Sequence, residues 1–399
     1  MSDANNWSQP DWYSTYDILC VVFLYWFFVG PALLLAFFSL RGERKRAAYV
    51  AERLAEAREY VPPASVIVPV KGEDEGLREN LAALAALDYP DYELIVTAHS
   101  AADIPPGVLP PRVKVVLAHG TDERCSEKIH NLIAAVRATR RRSEIFAFAD
   151  SDTRVTPSWL RALAAPLEDP KVGASTGYRW FVPAPPTFWT LMRGVWDAVC
   201  AGMLGPGDNP FVWGGSMAIR KETFFEIAVF DYWKNAITDD YPVAAAVKAA
   251  GLRIAYAPGA LAPSFDRVGC AGFFEWSRRQ MILTRIYRPR LWWTGLVAHL
   301  FYCGGMAASV AASLAGHRLA EWALIAQLSP GMLKGLNRAT LARAALPEHE
   351  AWFRRHAWVH AIWVPLATWL WLAALVSAAF QNHITWRGQR YDLRRRQAG

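Results

Sequence analysis

Residues 144–154 read EIFAFADSDTR, and this stretch decides the fold that the sequence predicts. Five apolar residues, Ile145 to Ala149, precede two aspartates, Asp150 and Asp152, that stand one residue apart. A short apolar run without alternation is typical of a strand buried on both faces of a parallel sheet. Ligands of such sheets bind beyond the carboxyl ends of the strands, so the aspartates stand where a site is expected.

Three further strand-like runs precede this one and share its apolar, β-forming character. They are SVIVPV (65–70), YELIVTA (92–98) and VKVVLA (113–118). Two segments between these runs, 76–87 and 126–139, are rich in Ala and Leu at helical spacing. The alternation predicts an α/β fold with a doubly wound, mostly parallel sheet. The sequence contains no G-x-G-x-x-G or Walker loop, so the site must lie in other motifs that follow the strands.

Long apolar segments predict a membrane protein. Residues 16–40 carry a single charge, Asp17, and about 20 apolar residues suffice to cross a bilayer. The basic run RGERKR (41–46) follows at once, so the positive-inside rule places the N-terminus outside and the next residues in the cytoplasm. The head of the segment has no Lys or Arg, which favours a permanent anchor over a cleaved signal peptide.

The positions of the apolar runs divide the chain into four predicted parts. These are a transmembrane anchor at 16–40, a soluble domain at 62–290, a membrane-embedded helical region at 291–380 and a basic cytoplasmic tail at 381–399. Within the third part, 291–315 and 358–380 read as crossings, whereas 319–333 reads as re-entrant, interfacial or a poor span. Two crossings keep the soluble domain and the tail in the cytoplasm. We therefore expect an integral protein of the inner, cytoplasmic membrane.

The charge balance argues against a nucleic-acid partner. The 43 Lys and Arg residues exceed the 36 Asp and Glu residues by only seven, and the basic clusters at 41–46 and 387–396 flank apolar runs. Nucleic-acid binders usually carry a clustered basic stripe instead. Five scattered cysteines form no C-x-x-C pair and no zinc spacing, which is typical of reduced thiols in a cytoplasmic setting.

Two pairs of aspartates are the candidates for chemistry. Asp150 and Asp152 can share a divalent cation, Mg²⁺ or Mn²⁺, that also binds a diphosphate; the alternative is a capping pair in a turn. Asp239 and Asp240 precede the Ala-rich helical run 242–251. They either satisfy the free amides of that helix, or Asp240 is a general base that takes a proton from an acceptor hydroxyl.

Other polar motifs stand between and after these pairs. Two adjacent glycines at 214–215 allow a close backbone approach to a ligand or form an ordinary turn. A cationic patch at 278–280 can grip a diphosphate or meet lipid headgroups. The candidate residues of these segments are Lys128, Trp213, Gly214, Gly215, Arg278, Arg279 and Gln280.

In their order, these motifs resemble the inverting, nucleotide-sugar-dependent membrane glycosyltransferases with the A-type fold, and more narrowly the ceramide glucosyltransferase family. The resemblance covers about residues 65–396. The stretches that carry it are PVKGEDEGLRENL (69–81), LDYPDYELIV (87–96), EKIHNL (127–132), FADSDTR (148–154), GGSMAIRKETF (214–224), TDDYPVAAAVKAAG (238–251) and ITWRGQRYDLR (384–394).

The resemblance implies that the domain at 62–290 is a cytoplasmic glycosyltransferase domain. Its donor is a nucleotide diphosphate sugar, with a UDP-sugar favoured, and its acceptor is the hydroxyl of a membrane lipid such as ceramide. The sugar is glucose, another hexose or a uronic acid, transferred with inversion. Asp240 is implied as the catalytic base, with Asp150 and Asp152 as the metal ligands. The implied donor-binding residues are Lys71, Asp74, Lys128, Asp150, Arg278, Arg279 and Gln280, and those on the acceptor side are Trp213, Gly214, Gly215 and Asp239.

The chain departs from the family pattern at two places. Ser100 stands where the family has an acidic residue after the second strand, with Asp103 as the nearby substitute. The segment SRRQMILTR (277–285) lacks the Trp of the family's Q/R-x-x-R-W motif. Two alternatives stay open: a processive polysaccharide synthase, which needs more membrane helices, and a catalytically dead membrane protein that binds a nucleotide or lipid.

Overall fold

The computed structural model describes residues 12–120, 122 and 124–393. The described strands are β1 Ala64–Pro69, β2 Tyr92–Ala98, β3 Lys114–Leu117, β4 Ile145–Ala149, β5 Val172–Phe181, β6 Ser216–Arg220, β7 Arg253–Ser264, β8 His383–Trp386 and β9 Gln389–Asp392. The described α-helices are α1 Trp12–Phe38, α2 Glu43–Ala55, α3 Leu77–Ala85, α4 Glu127–Arg137, α5 Trp159–Ala164, α6 Phe188–Ala201, α7 Lys221–Glu226, α8 Val229–Trp233, α9 Asp240–Ala249, α10 Cys270–Tyr287, α11 Pro289–Leu314, α12 Arg318–Ala345, α13 Glu350–His356, α14 Val359–Ile362 and α15 Val364–Ala379.

Seven strands form one mixed sheet in the order β3-β2-β1-β4-β6-β5-β7. The first four run parallel, and β5 runs parallel to β7. Only β6 in this sheet runs against its described neighbours, and its Ser216 pairs with Ala149 at the end of β4. The predicted doubly wound, mostly parallel sheet is therefore confirmed. The reversal of β6 places the segment before it beside the aspartates that follow β4.

The strand and helix segments predicted for the soluble domain are present within a few residues. The four strands fall within the predicted runs extended by at most one residue. The apolar side chains of β1, β2 and β4 are buried from both faces, whereas β3 at the edge of the sheet is partly exposed. Helix α4 begins after Ser126, whose hydroxyl accepts a hydrogen bond from the Ile129 amide at 3.3 Å. The helices cover the sheet on two sides, with α3 and α5 on one face and α4 and α9 on the other.

Apolar helices pack beside the sheet domain. Two described helical segments are long and apolar enough to cross a membrane. They are Val22–Ala55, which comprises most of α1 and all of α2, and Pro289–Leu314, which is α11; the apolar helix α15, Val364–Ala379, is shorter. Large apolar side chains on the outside of this group are exposed, among them Phe23 and Trp322 at 67% each. Such a surface is typical of a helix group that faces lipid rather than water.

Two segments of the C-terminal region have helix boundaries that the sequence analysis did not specify. The segment predicted as re-entrant or interfacial, 319–333, lies within one continuous helix, α12, which contains Pro330. The segment 358–380 is divided at Trp363 into the short helices α14 and α15. The tail also contains structure that composition did not indicate, because β8 and β9 form a hairpin. Helices α6, α10 and α15 pack together with this hairpin beyond the carboxyl ends of the strands.

Candidate active site

A cavity of about 660 Å³ lies between the carboxyl edge of the sheet and helices α6, α10, α11 and α15. It brings together most of the residues that the sequence predicts for the site. Those that line it are Lys71, Asp74, Lys128, Asp150, Asp152, Trp213, Gly214, Asp239, Asp240, Arg279 and Gln280. Gly215 lies directly behind this lining, whereas Arg278 is not among the residues that line the cavity.

A partly buried lysine joins the two predicted pairs of aspartates. The Lys128 ammonium lies 2.7 Å from Asp150 Oδ1 and 2.9 Å from Asp239 Oδ1. Burial opposes the charge of Lys128, but the two carboxylates outweigh it and raise the lysine pKa above its ordinary value. Burial likewise opposes ionisation of Asp150, and Lys128 outweighs that effect and lowers the Asp150 pKa. Lys128 is thus an internal counter-ion for both pairs.

Asp152 is the less neutralised member of the D-x-D pair. Burial and then the charge of Asp150 raise its pKa to about 6, and its carboxylate accepts one bond, from the Thr153 hydroxyl at 3.2 Å. Among the described residues, no cluster of three or more His, Cys, Asp or Glu side chains could hold a metal. Two carboxylates nevertheless fit Mg²⁺ or Mn²⁺, because such ions commonly take their remaining ligands from water and substrate phosphates.

Asp240 is the first residue of helix α9, and one of its carboxylate oxygens is hydrogen-bonded to neighbouring residues. Its Oδ1 accepts hydrogen bonds from the Thr238 hydroxyl and from the Tyr241 amide, the latter at 2.7 Å. Within the described residues, its second oxygen accepts no hydrogen bond and is available to a ligand in the cavity. Burial and the neighbouring Asp239 raise the Asp240 pKa to about 6, which suits a group that takes up a proton near neutral pH. Asp239 is the N-cap of α9 but makes no capping hydrogen bond through its side chain.

The two adjacent glycines make the close approach that the sequence predicts. A Cβ added to Gly214 would lie 2.4 Å from Asp239 Oδ2. A Cβ added to Gly215 would lie 2.3 Å from the Trp213 ring and 2.7 Å from Asp150 Oδ2. Both contacts are too short for any side chain, so glycine lets this loop pack against both pairs of aspartates.

Helix α10 supplies a cation without an acidic partner. Arg279 forms no ion pair with any residue that the structure describes, and its Cζ lies 5.9 Å from the centroid of the Trp386 ring. Burial and the nearby Arg179 lower its pKa to about 10, so it remains protonated at neutral pH. An unpaired guanidinium in a cavity is suited to a phosphate.

The C-terminal hairpin covers the polar end of the cavity. Arg387, at its turn, donates to Asp74 Oδ1 at 2.7 Å and to the Lys71 carbonyl at 2.9 Å. Gln389 donates to Glu127 at 2.8 Å, and Glu127 also pairs with Lys71. The stretch 384–394 contributes to the family resemblance, but the sequence analysis assigned none of its residues to the site. The glycine at 388 is the sequence signal for this hairpin. Arg387 and Gly388 form a two-residue turn with positive φ at both positions.

Four charged residues of the cavity wall were missed by the sequence reasoning. Arg179 on β5 lies 3.5 Å from Asp197 on α6, and Arg193 on α6 donates to Asp266 at 2.6 Å. All four line the cavity. The available signal was a charged residue within an otherwise apolar strand, STGYRWF at 175–181.

The other end of the cavity is apolar and reaches α11. Trp371 stacks on Trp196 with ring centroids 4.1 Å apart, and these rings form part of its wall. The remaining apolar lining here includes Met203, Leu283, Leu291, Trp292 and Leu375. Because α11 is one of the two candidate membrane helices, the cavity connects the carboxylates to the part of the chain that can contact lipid.

Ser100 and Asp103 contact each other rather than the cavity. The Ser100 amide and hydroxyl both donate to Asp103 Oδ2, at 2.9 and 3.0 Å. Neither residue lines the cavity. The role of either one toward a nucleoside stays a prediction.

A comparison with known protein families matches residues 24–398 to glycosyl transferase family 21. This match confirms the resemblance predicted from the motifs. Among solved structures, the mannosyltransferase PcManGT from Pyrobaculum calidifontis, in complex with GDP-Man and Mn²⁺, is 19% identical with a TM-score of 0.44 over 88% of this chain and 97% of that chain. GalNAc-T7 with UDP, GalNAc and Mn²⁺ is 12% identical with a TM-score of 0.41 over 57% and 48%.

Proposed function

The chain belongs to glycosyl transferase family 21, and on that basis we propose that it transfers a sugar from a nucleotide diphosphate sugar to a membrane lipid hydroxyl. A UDP-sugar is the favoured donor, glucose, another hexose or a uronic acid is the sugar, and ceramide is the favoured lipid. The observation that carries this proposal is a single cavity with carboxylates at one end and an apolar wall reaching α11 at the other. A nucleotide sugar and a lipid need those two environments side by side.

The polar end suits the donor diphosphate. Asp150 and Asp152 would hold a divalent cation, which supplies positive charge to the leaving diphosphate when bound. Lys128 keeps Asp150 ionised, and Arg279 adds a cation that no described carboxylate neutralises. Lys71 and Asp74 border the same end beneath the C-terminal hairpin.

Asp240 is the proposed base. Its available oxygen accepts the proton of the lipid hydroxyl while the hydroxyl oxygen attacks the anomeric carbon of the sugar. The bond between that carbon and the diphosphate oxygen breaks, and the electron pair leaves with the diphosphate. A single displacement inverts the anomeric configuration, so an α-linked donor gives a β-glycoside.

The apolar end suits the acceptor. Leu291, Gly295 and His299 line the cavity at intervals of four residues and therefore share one face of α11. Trp196 and Trp371 extend the apolar wall toward the aspartates. A lipid whose chains lie beside α11 can thus present its hydroxyl to Asp240 without leaving the bilayer entirely.

The proposed location is the cytoplasmic face of the inner membrane. The basic run 41–46 directly after the first candidate span supports a cytoplasmic sheet domain. The acceptor is then drawn from the cytoplasmic leaflet.

The experiment that tests this function incubates membranes containing the protein with a panel of labelled nucleotide sugars and identifies the labelled product by mass spectrometry. A labelled lipid that is absent with the Asp240→Asn variant supports the proposal. A labelled polymer would favour a processive synthase, and tight binding of a nucleotide sugar without any labelled product would favour a catalytically dead binding protein.

A further inference from the structure

We infer that Arg179 binds the diphosphate of the donor, as a second guanidinium that acts together with Arg279. This inference rests on the proposed function and adds to it a residue of the donor site that the motifs did not indicate.

Arg179 lies on the cavity wall between the two ends of the cavity. Its Cζ is 5.5 Å from the centroid of the Trp213 ring, which itself packs on Gly215 beside Asp150. The Arg179 side chain lines the cavity together with Asp150, Asp152 and Arg279. It therefore faces the same space as the D-x-D pair and the cation of α10.

The other cations of the polar end already have acidic partners. Lys128 lies within 2.9 Å of two carboxylates, and Lys71 pairs with Glu127. Arg387 pairs with Asp74 on the opposite wall. A diphosphate brings several negative charges into this space, so it needs cations that are not already neutralised.

Arg193 is also paired with an acidic residue, although its Nε has no hydrogen-bond partner among the described residues. Its two terminal nitrogens donate to the Asp266 carboxylate at 2.6 Å and to the Asp266 carbonyl at 2.5 Å. After these pairings, the cations that remain among the described lining residues are Arg279 and Arg179.

The contact between Arg179 and Asp197 is weak by comparison. It joins the Arg179 Nε to one carboxylate oxygen at 3.5 Å, and that Nε has no hydrogen-bond partner within the described chain. The Asp197 carboxylate also accepts from the Tyr178 hydroxyl at 3.2 Å, and burial raises its pKa. Asp197 thus orients Arg179 without occupying the fork of its terminal N–H groups.

Aromatic rings hold the guanidinium instead of acids. The Cζ lies 5.0 Å from the Phe181 ring centroid and 5.2 Å from that of Trp276, in addition to the contact with Trp213. Ring faces attract a cation but accept none of its in-plane hydrogen bonds strongly. The arrangement leaves the terminal N–H donors of a fixed, charged group directed at a ligand, and two such groups can share one diphosphate.

The test measures how the purified full chain, with Mn²⁺ present, binds UDP against UMP and GDP against GMP by calorimetry. Arg179→Gln should weaken binding of the preferred diphosphate by about 10–100-fold and leave the matching monophosphate within about twofold, because a charged hydrogen bond to the second phosphate is lost. Arg179→Lys should recover part of the loss, since lysine restores the charge but not the fork.

A double variant separates ligand binding from a structural role. Arg179→Gln with Asp197→Asn removes the carboxylate that the single variant leaves unpaired, so it should fold even where the single variant does not. Diphosphate affinity should stay low in the double variant. Recovery of affinity there would show that Arg179 only neutralises Asp197, and equal losses for diphosphate and monophosphate would also overturn the inference. Wild-type protein that binds neither diphosphate contradicts the proposed function itself, whereas unchanged diphosphate binding in Arg179→Gln contradicts this inference alone.

Discussion

Asp240 and Asp239 differ in what their carboxylates already contact, and this difference predicts their effects on turnover. Asp239 Oδ1 pairs with the cation of Lys128, whereas Asp240 accepts only from the neutral Thr238 hydroxyl and Tyr241 amide among the described residues. Within the described chain, each carboxylate keeps a second oxygen without a hydrogen bond, but that of Asp239 is buried. Asp240→Asn keeps the shape and the acceptor for Thr238 but removes the basicity. We expect turnover to fall by about 10²–10⁴-fold with donor binding retained. Asp239→Asn should reduce turnover much less, because Lys128 keeps Asp150 as a partner.

The two variants are compared in one assay of lipid glycosylation and one of nucleotide-sugar binding. Near-normal turnover in Asp240→Asn would reject Asp240 as the base. Equal losses in both variants would leave either aspartate as the proton acceptor.

The raised pKa of Asp240 predicts opposite effects of pH on turnover and stability. A base must be ionised, so turnover should fall as pH falls through about 6, measured at saturating donor and Mn²⁺. Folding favours the protonated form of a group whose pKa is raised, so its contribution to stability is present at low pH and lost as pH rises through about 6. Asp240→Asn should therefore melt at a higher temperature than wild type at about pH 8 but not at about pH 4. Turnover that stays constant between these values contradicts the assignment.

The carboxylates of Asp150 and Asp152 predict a metal requirement. Chelation should abolish glycosylation, and Mg²⁺ or Mn²⁺ should restore it, because two carboxylates with substrate phosphates form a suitable oxygen site. Asp152→Asn should weaken Mn²⁺ binding measured directly by calorimetry. Full activity of protein confirmed to be metal-free would show that the D-x-D pair has another role.

At the scale of elements, the antiparallel strand β6 assembles the site. Because β6 runs against β4, its first residue pairs with the last residue of β4, Ser216 with Ala149. Gly215 therefore meets Asp150, which follows β4, although about 60 residues separate them in sequence. A parallel β6 would place this loop at the opposite edge of the sheet.

The hairpin of β8 and β9 predicts a contribution of the C-terminus to donor binding. Arg387→Ala removes its bonds to Asp74 and to the Lys71 carbonyl, which hold the hairpin across the polar end. We expect the KM for the nucleotide sugar to rise by about fivefold with a smaller change in kcat, since a partly exposed pair contributes about 1 kcal/mol. Arg390→Ala is the matched control, because Arg390 is exposed on the same hairpin and its side chain forms no hydrogen bond or ion pair with the described residues. Equal KM values in the two variants would show that the hairpin does not support donor binding.

At the scale of the whole molecule, the charge pattern predicts the topology. Residues 1–15 should lie outside, and the sheet domain and the tail should lie in the cytoplasm. Single cysteines at Ala4 and Ala398, in a chain whose five native cysteines are replaced by serine, report each terminus by impermeant labelling of intact cells. Labelling only at Ala4→Cys is expected. Labelling of Ala398→Cys from outside contradicts two crossings after the sheet domain.

Local sequence determined the strands, the helices and the identity of most lining residues. An apolar run such as Ile145–Ala149 is stable as a strand inside a sheet that is covered on both faces. The polar residues that follow parallel strands of this kind then lie at the same edge of the sheet. The adjacent glycines at 214–215 likewise predicted a close backbone contact, although the sequence did not show which residues they contact. Each of these inferences depends on residues close together in sequence, so no knowledge of distant contacts was required.

Only the tertiary structure decided which distant residues pair and which cations remain available. The bond of Arg387 to Asp74 joins residues 313 positions apart, and Lys128 joins two carboxylates from different motifs. A charge within a strand marks Arg179 as unusual, but the local sequence does not decide that Arg179 lines the cavity and Arg278 does not. Burial and pairing are sums over neighbours brought together by the sheet and helices, so the charge of the site is a property of the fold rather than of any single motif.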